Sequence, residues 1–393
     1  MDHGVLKNIK RDNIRLSDMM GIQSTLKRQK TPSKSEIILG LPGETLQSHT
    51  RSLANLVDAG IDAISTYQLM LLHGTEMNTP AERERWGFQS RFRILPRCFG
   101  KLNAAGRNVI EVEEIVVATK DLSFEDYVQA RRLHFIVSVA YNGKPFAALF
   151  KLLAELEMDT FPLLEAAMQR IDEAPAVVRE LVAGFERETR AELWDSADDI
   201  QAFYSQDGNY DKLLSGEYGA NLLQKYTALS LFSAAEEWAG YIFDIAAPMI
   251  VKDDNAVSAE AIESLRRYCI GRVSNIFGSD RKEQRYAQSL THDIDAWAND
   301  LDGLDIEAYR LDAPETYEFV VSASQYQIAE DYLQRFGRTH QGIGKTLTKL
   351  NIINAWRHCV REGMEPMGAD VATMSAAYAL IDEQASGGII TKR

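Results

Sequence analysis

The pattern of apolar and polar positions changes twice along the chain, and the first change marks an α/β unit. Glu36–Leu39 is a short apolar, β-branched run that ends at Gly40 and predicts a buried strand. A segment with helical spacing of apolar residues follows and stops at Ala59-Gly60, a typical C-terminal glycine signal. Ile61–Leu69 predicts a second buried strand. Strand, helix and strand in so short a stretch predict a βαβ unit with parallel strands.

Beyond this unit the pattern becomes irregular and then helical. Residues 76–105 are rich in arginine and show no clear period, whereas Val109–Ala118 predicts another strand. Ser123, three residues before Asp126, is typical of a helix entry. Helical spacing then prevails to about residue 385, for example in Val177–Phe185, Leu222–Ala239, Ala256–Phe277 and Ile343–His358. We therefore predict an α/β fold followed by a mainly α part, divided into residues 1–78, 79–135 and a helical C-terminal domain over 136–393.

Composition excludes several classes of protein. The 393 residues carry a net charge of −14, which disfavours general binding to nucleic acid because phosphate neutralisation needs a basic surface. There is no apolar run long enough to span a membrane and no apolar signal segment at the N-terminus. The three cysteines, Cys98, Cys269 and Cys359, form neither a disulfide framework nor a metal-binding spacing. We expect a cytoplasmic protein with no membrane partner, no nucleic-acid partner and no metal site of its own.

The loop that follows the first strand is the first candidate site. Ligands of α/β proteins usually bind where such loops leave the carboxyl ends of parallel strands. Gly40 and Gly43 allow positive φ or close approach of a ligand, and Pro42 fixes the backbone between them. The spacing matches neither the dinucleotide fingerprint nor a P-loop. The alternative is a tight turn in which the dipole of the following helix favours Glu44.

Charged residues on the next predicted elements offer further chemistry. Glu111 and Glu113 face one side of a strand and could coordinate a metal or serve as acid and base, with a solvated outer face as the alternative. Neighbouring arginines could pair with these carboxylates or grip an anionic substrate, namely Arg91, Arg93 and Arg97. His73, after a strand end, is the best candidate for a catalytic histidine. The glycine-containing run Gly342–Thr346 has the wrong spacing for a phosphate loop and predicts a helix start.

Taken together, several stretches resemble the last two strands of a radical S-adenosylmethionine enzyme barrel, and most closely the cobalamin-binding subgroup. The resemblance is specific over residues 5–135 and looser to about 360. It is carried by Val5–Gln23, Ile37–Thr45, Ile64–Leu69, His73–Glu76, Phe92–Gly100 and Glu111–Val117. It implies that residues 1–78 are a partial (β/α) barrel, that residues 79–135 adjoin it, and that the family cofactors are S-adenosylmethionine, a 4Fe–4S cluster and cobalamin.

The resemblance also implies roles for individual residues. The loop would border the adenosyl group of S-adenosylmethionine through Gly40, Leu41, Pro42, Gly43 and Glu44. Tyr67 and Gln68 would lie near the adenine or the substrate, although a tyrosine on an apolar strand is also typical of a core. The substrate region would include His73, Arg93, Arg97 and Glu113. The small-molecule substrate itself stays unknown.

The chain departs from the family in its cysteines. A radical S-adenosylmethionine enzyme holds its cluster with C-x-x-x-C-x-x-C, and no such run is present. We therefore expect the carboxyl-terminal portion of a longer enzyme, inactive alone. It would arise from a truncated or split reading frame, which we favour, or need a separate chain with the N-terminal barrel half. The strand edge at Glu36–Leu41 would need cover from residues 1–30 or a second chain. The alternative is a non-catalytic helper or scaffolding module that docks on a partner.

Overall fold

The computed structural model describes residues 2–29, 31–102, 107–251, 257–273, 285–300, 303, 305–350, 356–364 and 366. The first part contains four helices and four strands: α1 His3–Asn8, α2 Leu16–Arg28, β1 Lys34–Leu39, α3 Leu46–Asp58, β2 Ala63–Gln68, α4 Pro80–Trp86, β3 Gln89–Leu102 and β4 Arg107–Ala118. Helices predominate afterwards. None of the small sheets among the described residues closes into a barrel.

The predicted βαβ unit is confirmed. Strands β1 and β2 pair in parallel, from Lys34 opposite Ala63 to Leu39 opposite Gln68. A capping box between Thr45 and Ser48 starts α3. The amphipathic α3 then buries its apolar face against the sheet, which places the loop after β1 at the carboxyl end of the unit.

The expectation of an irregular stretch over residues 76–105 is wrong. The stretch contains α4 and the long strand β3, which pairs antiparallel with β4. Arginines at alternate positions hid the strand, because one of them, Arg93, is buried in ion pairs with Glu113 and Glu192 instead of facing water. The register shifts between Ile94 and Phe99, so β3 bulges there. The chain after β2 also joins β4, since Val116 N–H donates to Leu69 O over 2.8 Å.

The remaining helices build most of the molecule. The first of them, α5 Phe124–Ile136, begins at the predicted capping box of Ser123 and Asp126. A π-turn over Val137–Tyr141 follows α5 directly. The helices after this turn are α6 Ala147–Glu155, α7 Phe161–Gln169, α8 Ala176–Ala191, α9 Ala197–Tyr204, α10 Asp207–Ser215, α11 Leu222–Ser233, α12 Ala235–Val251, α13 Ala259–Arg272, α14 Ile294–Asn299, α15 Ala323–Phe336 and α16 His340–Lys349. No helix in the described ranges is long and apolar enough to cross a membrane.

A second correction concerns the part predicted to be helical throughout. It contains a three-stranded antiparallel sheet, with β5 Arg285–His292, β6 Arg310–Val320 and β7 His358–Arg361. Tyr317 and Phe319 on β6 are buried, while Thr316 before them and Glu318 between them are not, a period-two pattern that helical spacing elsewhere obscured. The predicted helix Ile343–His358 ends at Lys349, and residues 351–355 lie outside the described residues. Its predicted start is confirmed, because Thr339 caps α16 through Gly342 N–H.

One connected core joins the α/β unit to the helices. It includes Ile37 and Leu53 of the βαβ unit together with Phe135 and Trp238 from the helical part. A smaller cluster packs Val5 of α1 against Leu41, two residues after the end of β1. The core thus fixes the loop after β1 from both sides.

Candidate functional site

The loop after β1 has the backbone shape that its glycines predict. Gly40 and Gly43 have φ of 91° and 80°, in the region that favours glycine. The Glu44 carboxylate turns back into the loop, where one oxygen accepts from Gly40 N–H at 2.8 Å and from Leu41 N–H at 3.3 Å. Glu44 is only 2% exposed, so it fixes the loop from within.

Helix α1 lies on the other side of this loop. Asn8 Nδ2 donates to Pro42 O at 3.0 Å. A Cβ atom on Gly43 would come within 2.6 Å of the same nitrogen, so the close approach needs glycine there. The peptide groups of the loop are therefore held by α1 and by Glu44 together.

Glu44 begins a chain of buried histidines that runs from α3 to α5. Its other carboxylate oxygen lies 2.9 Å from His49 Nδ1, and His49 Nε2 lies 2.7 Å from His134 Nε2. When both rings are neutral, the carboxylate selects the tautomer that is protonated at His49 Nδ1, and His134 then donates to His49. Burial, followed by the proximity of His49 and Arg131, lowers the pKa of His134 well below its ordinary value. The His134 ring is therefore neutral near neutral pH.

A second buried group is centred on Arg93 of β3. Its guanidinium donates to Glu113 at 2.5 Å, to Glu192 at 3.0 Å and to Gln68 at 2.8 Å. Burial alone would lower the pKa of Arg93, but Glu192, Tyr127 and Glu113 outweigh it, and the pKa is raised. The arginine thus stays charged inside the protein.

Tyr127 and Arg131 of α5 interact electrostatically with the Arg93 group, and Arg131 also interacts with His134. Burial raises the pKa of Tyr127 and lowers that of Arg131. Four buried polar atoms of this region have no hydrogen-bond partner among the described residues: Gln68 Nε2, Tyr127 Oη, Arg131 Nε and His134 Nδ1. The Arg93 group at the end of β2 and the chain from Glu44 through His49 to His134 are therefore two hydrogen-bonded groups, and Tyr127 and Arg131 of α5 interact with them electrostatically.

Some of the site residues predicted from the sequence belong to the buried Arg93 group, and the others lie at the surface. Gln68, Arg93 and Glu113 are brought together, and the solvated alternative for Glu113 is wrong because it is 7% exposed. Glu111 is exposed, and Glu114 pairs instead with Arg83. His73 and Arg97 are exposed, away from the Arg93 ion pairs. The core alternative for Tyr67 is also wrong, because its side chain is 47% exposed and its hydroxyl lies 3.4 Å from Glu36.

Sequence reasoning missed His49, Tyr127, Arg131, His134 and Glu192. The signal was present in α5, where Tyr127, Arg131 and His134 recur at helical spacing among apolar residues of the same helix such as Val128 and Leu133. Such a polar stripe on a buried helix indicates an internal network. No pattern in the sequence connects that stripe to Arg93, because the contact depends on how β3 packs near α8.

Lowering the pH should destabilise the protein through His134. Its pKa is depressed in the folded state, so below the ordinary value of about 6.5 the unfolded chain takes up the proton first. The free energy of unfolding then falls by up to about 1.4 kcal/mol per pH unit from this group. Urea denaturation between pH 7.5 and 5 checks this, with His134→Gln as the matched variant. Equal pH slopes for the two proteins would contradict the prediction.

The cysteines do not fit an iron–sulfur cluster. Cys98 lies on β3, Cys269 on α13 and Cys359 on β7, and no group of three or more His, Cys, Asp or Glu in the described part of the chain could hold a metal ion. Burial raises the pKa of Cys269 to about 12 and also raises that of Cys359, which disfavours the thiolates that ligation needs.

Comparison with known proteins finds similarity over part of the chain. No family model matches. The cobalamin-dependent radical SAM methyltransferase TokK of Streptomyces tokunonensis is 27% identical over 143 residues, 36% of this chain and 21% of the relative. A 2-(S-pantetheinyl)-carbapenam-3-carboxylate methyltransferase of Streptantibioticus cattleyicolor is 25% identical over 143 residues, with the same coverage of 36% and 21%. The matched stretch spans about a fifth of these curated relatives, and it supports a distant relationship to cobalamin-dependent radical SAM methyltransferases.

Proposed function

We propose that this chain is the carboxyl-terminal part of a radical S-adenosylmethionine, cobalamin-dependent methyltransferase, and that it is inactive alone. The parent reaction would transfer a methyl group to a small molecule. Partial similarity to two such methyltransferases supports the family. The edge of β1 that pairs with no strand among the described residues supports the incompleteness, and it is the observation that carries the proposal.

This parallel sheet has one edge without a partner strand and one face that is only partly covered among the described residues. Among the described residues β1 pairs only with β2, so its second edge is not joined to a strand. Helix α3 covers one face, but the other face carries the exposed Tyr67 beside Ile38, which lies opposite it in the register. Parallel sheets are normally covered on both faces, and their interior strands pair with a neighbouring strand on each side. Further strands of a partial barrel would pair with β1, with Tyr67 facing the barrel interior.

In the completed enzyme the loop would face S-adenosylmethionine through Gly40, Leu41, Pro42, Gly43 and Glu44. Tyr67 and Gln68 would lie beside the adenine or the substrate, and His73, Arg93, Arg97 and Glu113 would belong to the substrate region. The chain's own contribution is positional. Glu44 and His49 hold the loop, and the charged Arg93 fixes Gln68 at the end of β2.

Anaerobic reconstitution with iron and sulfide tests the proposal directly. We expect no stoichiometric cluster from this chain, because its cysteines do not converge on a ligand set. A radical S-adenosylmethionine enzyme treated in parallel is the positive control. A stoichiometric 4Fe–4S absorbance that disappears in Cys98→Ala would overturn the proposal.

The same open sheet favours a second candidate function, a non-catalytic helper that docks on a partner chain through the β1 edge. The DNA immediately upstream distinguishes the two. A C-x-x-x-C-x-x-C sequence encoded there in any frame supports the split enzyme. Unrelated upstream DNA together with a soluble monomeric chain supports the helper.

A further inference from the structure

Three hydrogen-bond donors around Arg93 have no acceptor among the described residues. They are Gln68 Nε2, Tyr127 Oη and Arg131 Nε, on side chains that are 7%, 0% and 3% exposed. The Gln68 amide cannot be turned to satisfy its nitrogen, because its oxygen accepts from Arg93 at 2.8 Å and an arginine only donates. A buried donor without an acceptor carries its full cost of desolvation. Three of them beside one buried cation indicate a site for an acceptor that the neighbouring side chains do not supply.

Arg131 is the least satisfied of these side chains. Its guanidinium lies 5.3 Å from the ring centre of Phe185, and within the described ranges it forms neither a hydrogen bond nor an ion pair. Tyr127 lies four residues earlier on α5, so the two side chains are neighbours on one face of the helix. Glu192 attracts Arg131 electrostatically, whereas Arg93 repels it. The Glu192 carboxylate therefore interacts with two arginines, although its hydrogen bond is with Arg93.

Glu192 is the most exposed charged member of the Arg93 group. Its side chain is 20% exposed, against 6% for Glu113 and 15% for Arg93. Glu113 lies directly opposite Arg93 in the register of β3 and β4, whereas Glu192 caps the C-terminus of α8 and can turn towards solvent without disturbing the sheet. Together with Arg131, the two carboxylates and two arginines balance in charge. A ligand that takes the place of the Glu192 carboxylate keeps this balance only if it carries a single negative charge.

We propose that Arg93, Arg131 and Tyr127 bind a small molecule through a carboxylate, which replaces the carboxylate of Glu192. The ligand would accept from Arg93 Nη1, which Glu192 releases, and from the donors of Arg131 and Tyr127. An ionised carboxylate only accepts hydrogen bonds, so it suits a set composed of donors. The released Glu192 would turn to solvent. The proposal rests on the proposed function only where it takes this small molecule to be the substrate.

Titration of the full chain with sodium acetate at constant ionic strength tests the proposal, with the Arg131 Nε–H signal in NMR spectra as the readout. We expect a saturable shift in the parent chain and about tenfold tighter binding in Glu192→Ala, which lacks the internal competitor. Asp195→Ala removes the same charge three residues away, from an exposed pair with Arg91, and should bind as the parent does. Acetate should also raise the unfolding midpoint of Glu192→Ala, but not that of Glu192→Ala/Arg131→Met. The midpoints without acetate show whether each variant retains the fold.

The absence of a saturable shift in folded Glu192→Ala would overturn the proposal, because buried water would then suffice as the acceptor for the three donors. An equal response of Glu192→Ala and Glu192→Ala/Arg131→Met would overturn the role of Arg131. Sulfate binding tighter than acetate binding would contradict the assignment to a single negative charge. The titration requires neither iron nor S-adenosylmethionine, so its failure is distinguishable from failure of the proposed methyltransferase function.

Discussion

Replacing Arg93 with leucine should lower the free energy of unfolding by about 3–5 kcal/mol. The guanidinium is buried and satisfies Glu113 and Glu192 at once, while it also fixes Gln68. Removal of the cation leaves two carboxylates without their shared partner, one of them only 7% exposed. A buried charge without a partner is among the most costly changes that a single substitution makes.

Arg91 provides the matched control, since it lies two residues away on the same strand. Its ion pair with Asp195 is largely exposed, with the aspartate side chain 86% accessible. Exposed pairs contribute about 0–1 kcal/mol, so Arg91→Leu should change stability little. Chemical denaturation of both variants measures the difference. Adding Glu113→Gln to Arg93→Leu should recover part of the loss, and equal effects of the two arginine variants would contradict the prediction.

The α/β unit was predictable because short stretches of its sequence indicate each strand and helix. Apolar runs ending at Gly40 and Gly60 bracket an amphipathic helix, and the parallel pairing follows from that order. Strand β3 was not predictable in this way. Its arginines are partners for residues distant in sequence, such as Glu192 on the C-terminal side of α8, and a charged side chain indicates a solvated position until that partner is known.

The candidate site likewise has features that the local sequence predicts and features that depend on tertiary packing. The glycines of the loop were recognisable, since positive φ is a property of the residue itself. Glu44 was noted as a helix-start residue, but the contact of its partner His49 with His134 depends on α3 packing against α5. Sequence reasoning therefore located the loop, and only tertiary structure connected it to the histidines and to Arg93.

Phe135→Ala should cost about 3–5 kcal/mol and should loosen both halves of the molecule. The ring is fully buried and stacks on Phe185 with centroids 4.8 Å apart. It also meets Tyr226 and Trp238 edge-on, at 6.0 and 6.1 Å. Aromatic pairs of this geometry add to the area that a large side chain buries. Its loss would leave a cavity where α5, α8, α11 and α12 meet.

The consequence should reach β1, because Ile37 belongs to the same connected core as Phe135. Amide hydrogen exchange should therefore accelerate in β1 and in α12 alike, in step with the fall in urea midpoint. Phe203→Ala is the matched control, since that ring is half-buried in a separate small cluster, and it should cost about 1–2 kcal/mol. Faster exchange confined to the helices of the Phe135→Ala variant would show that the α/β unit is stable without the helical core, which would also make it a candidate for folding with a partner by itself.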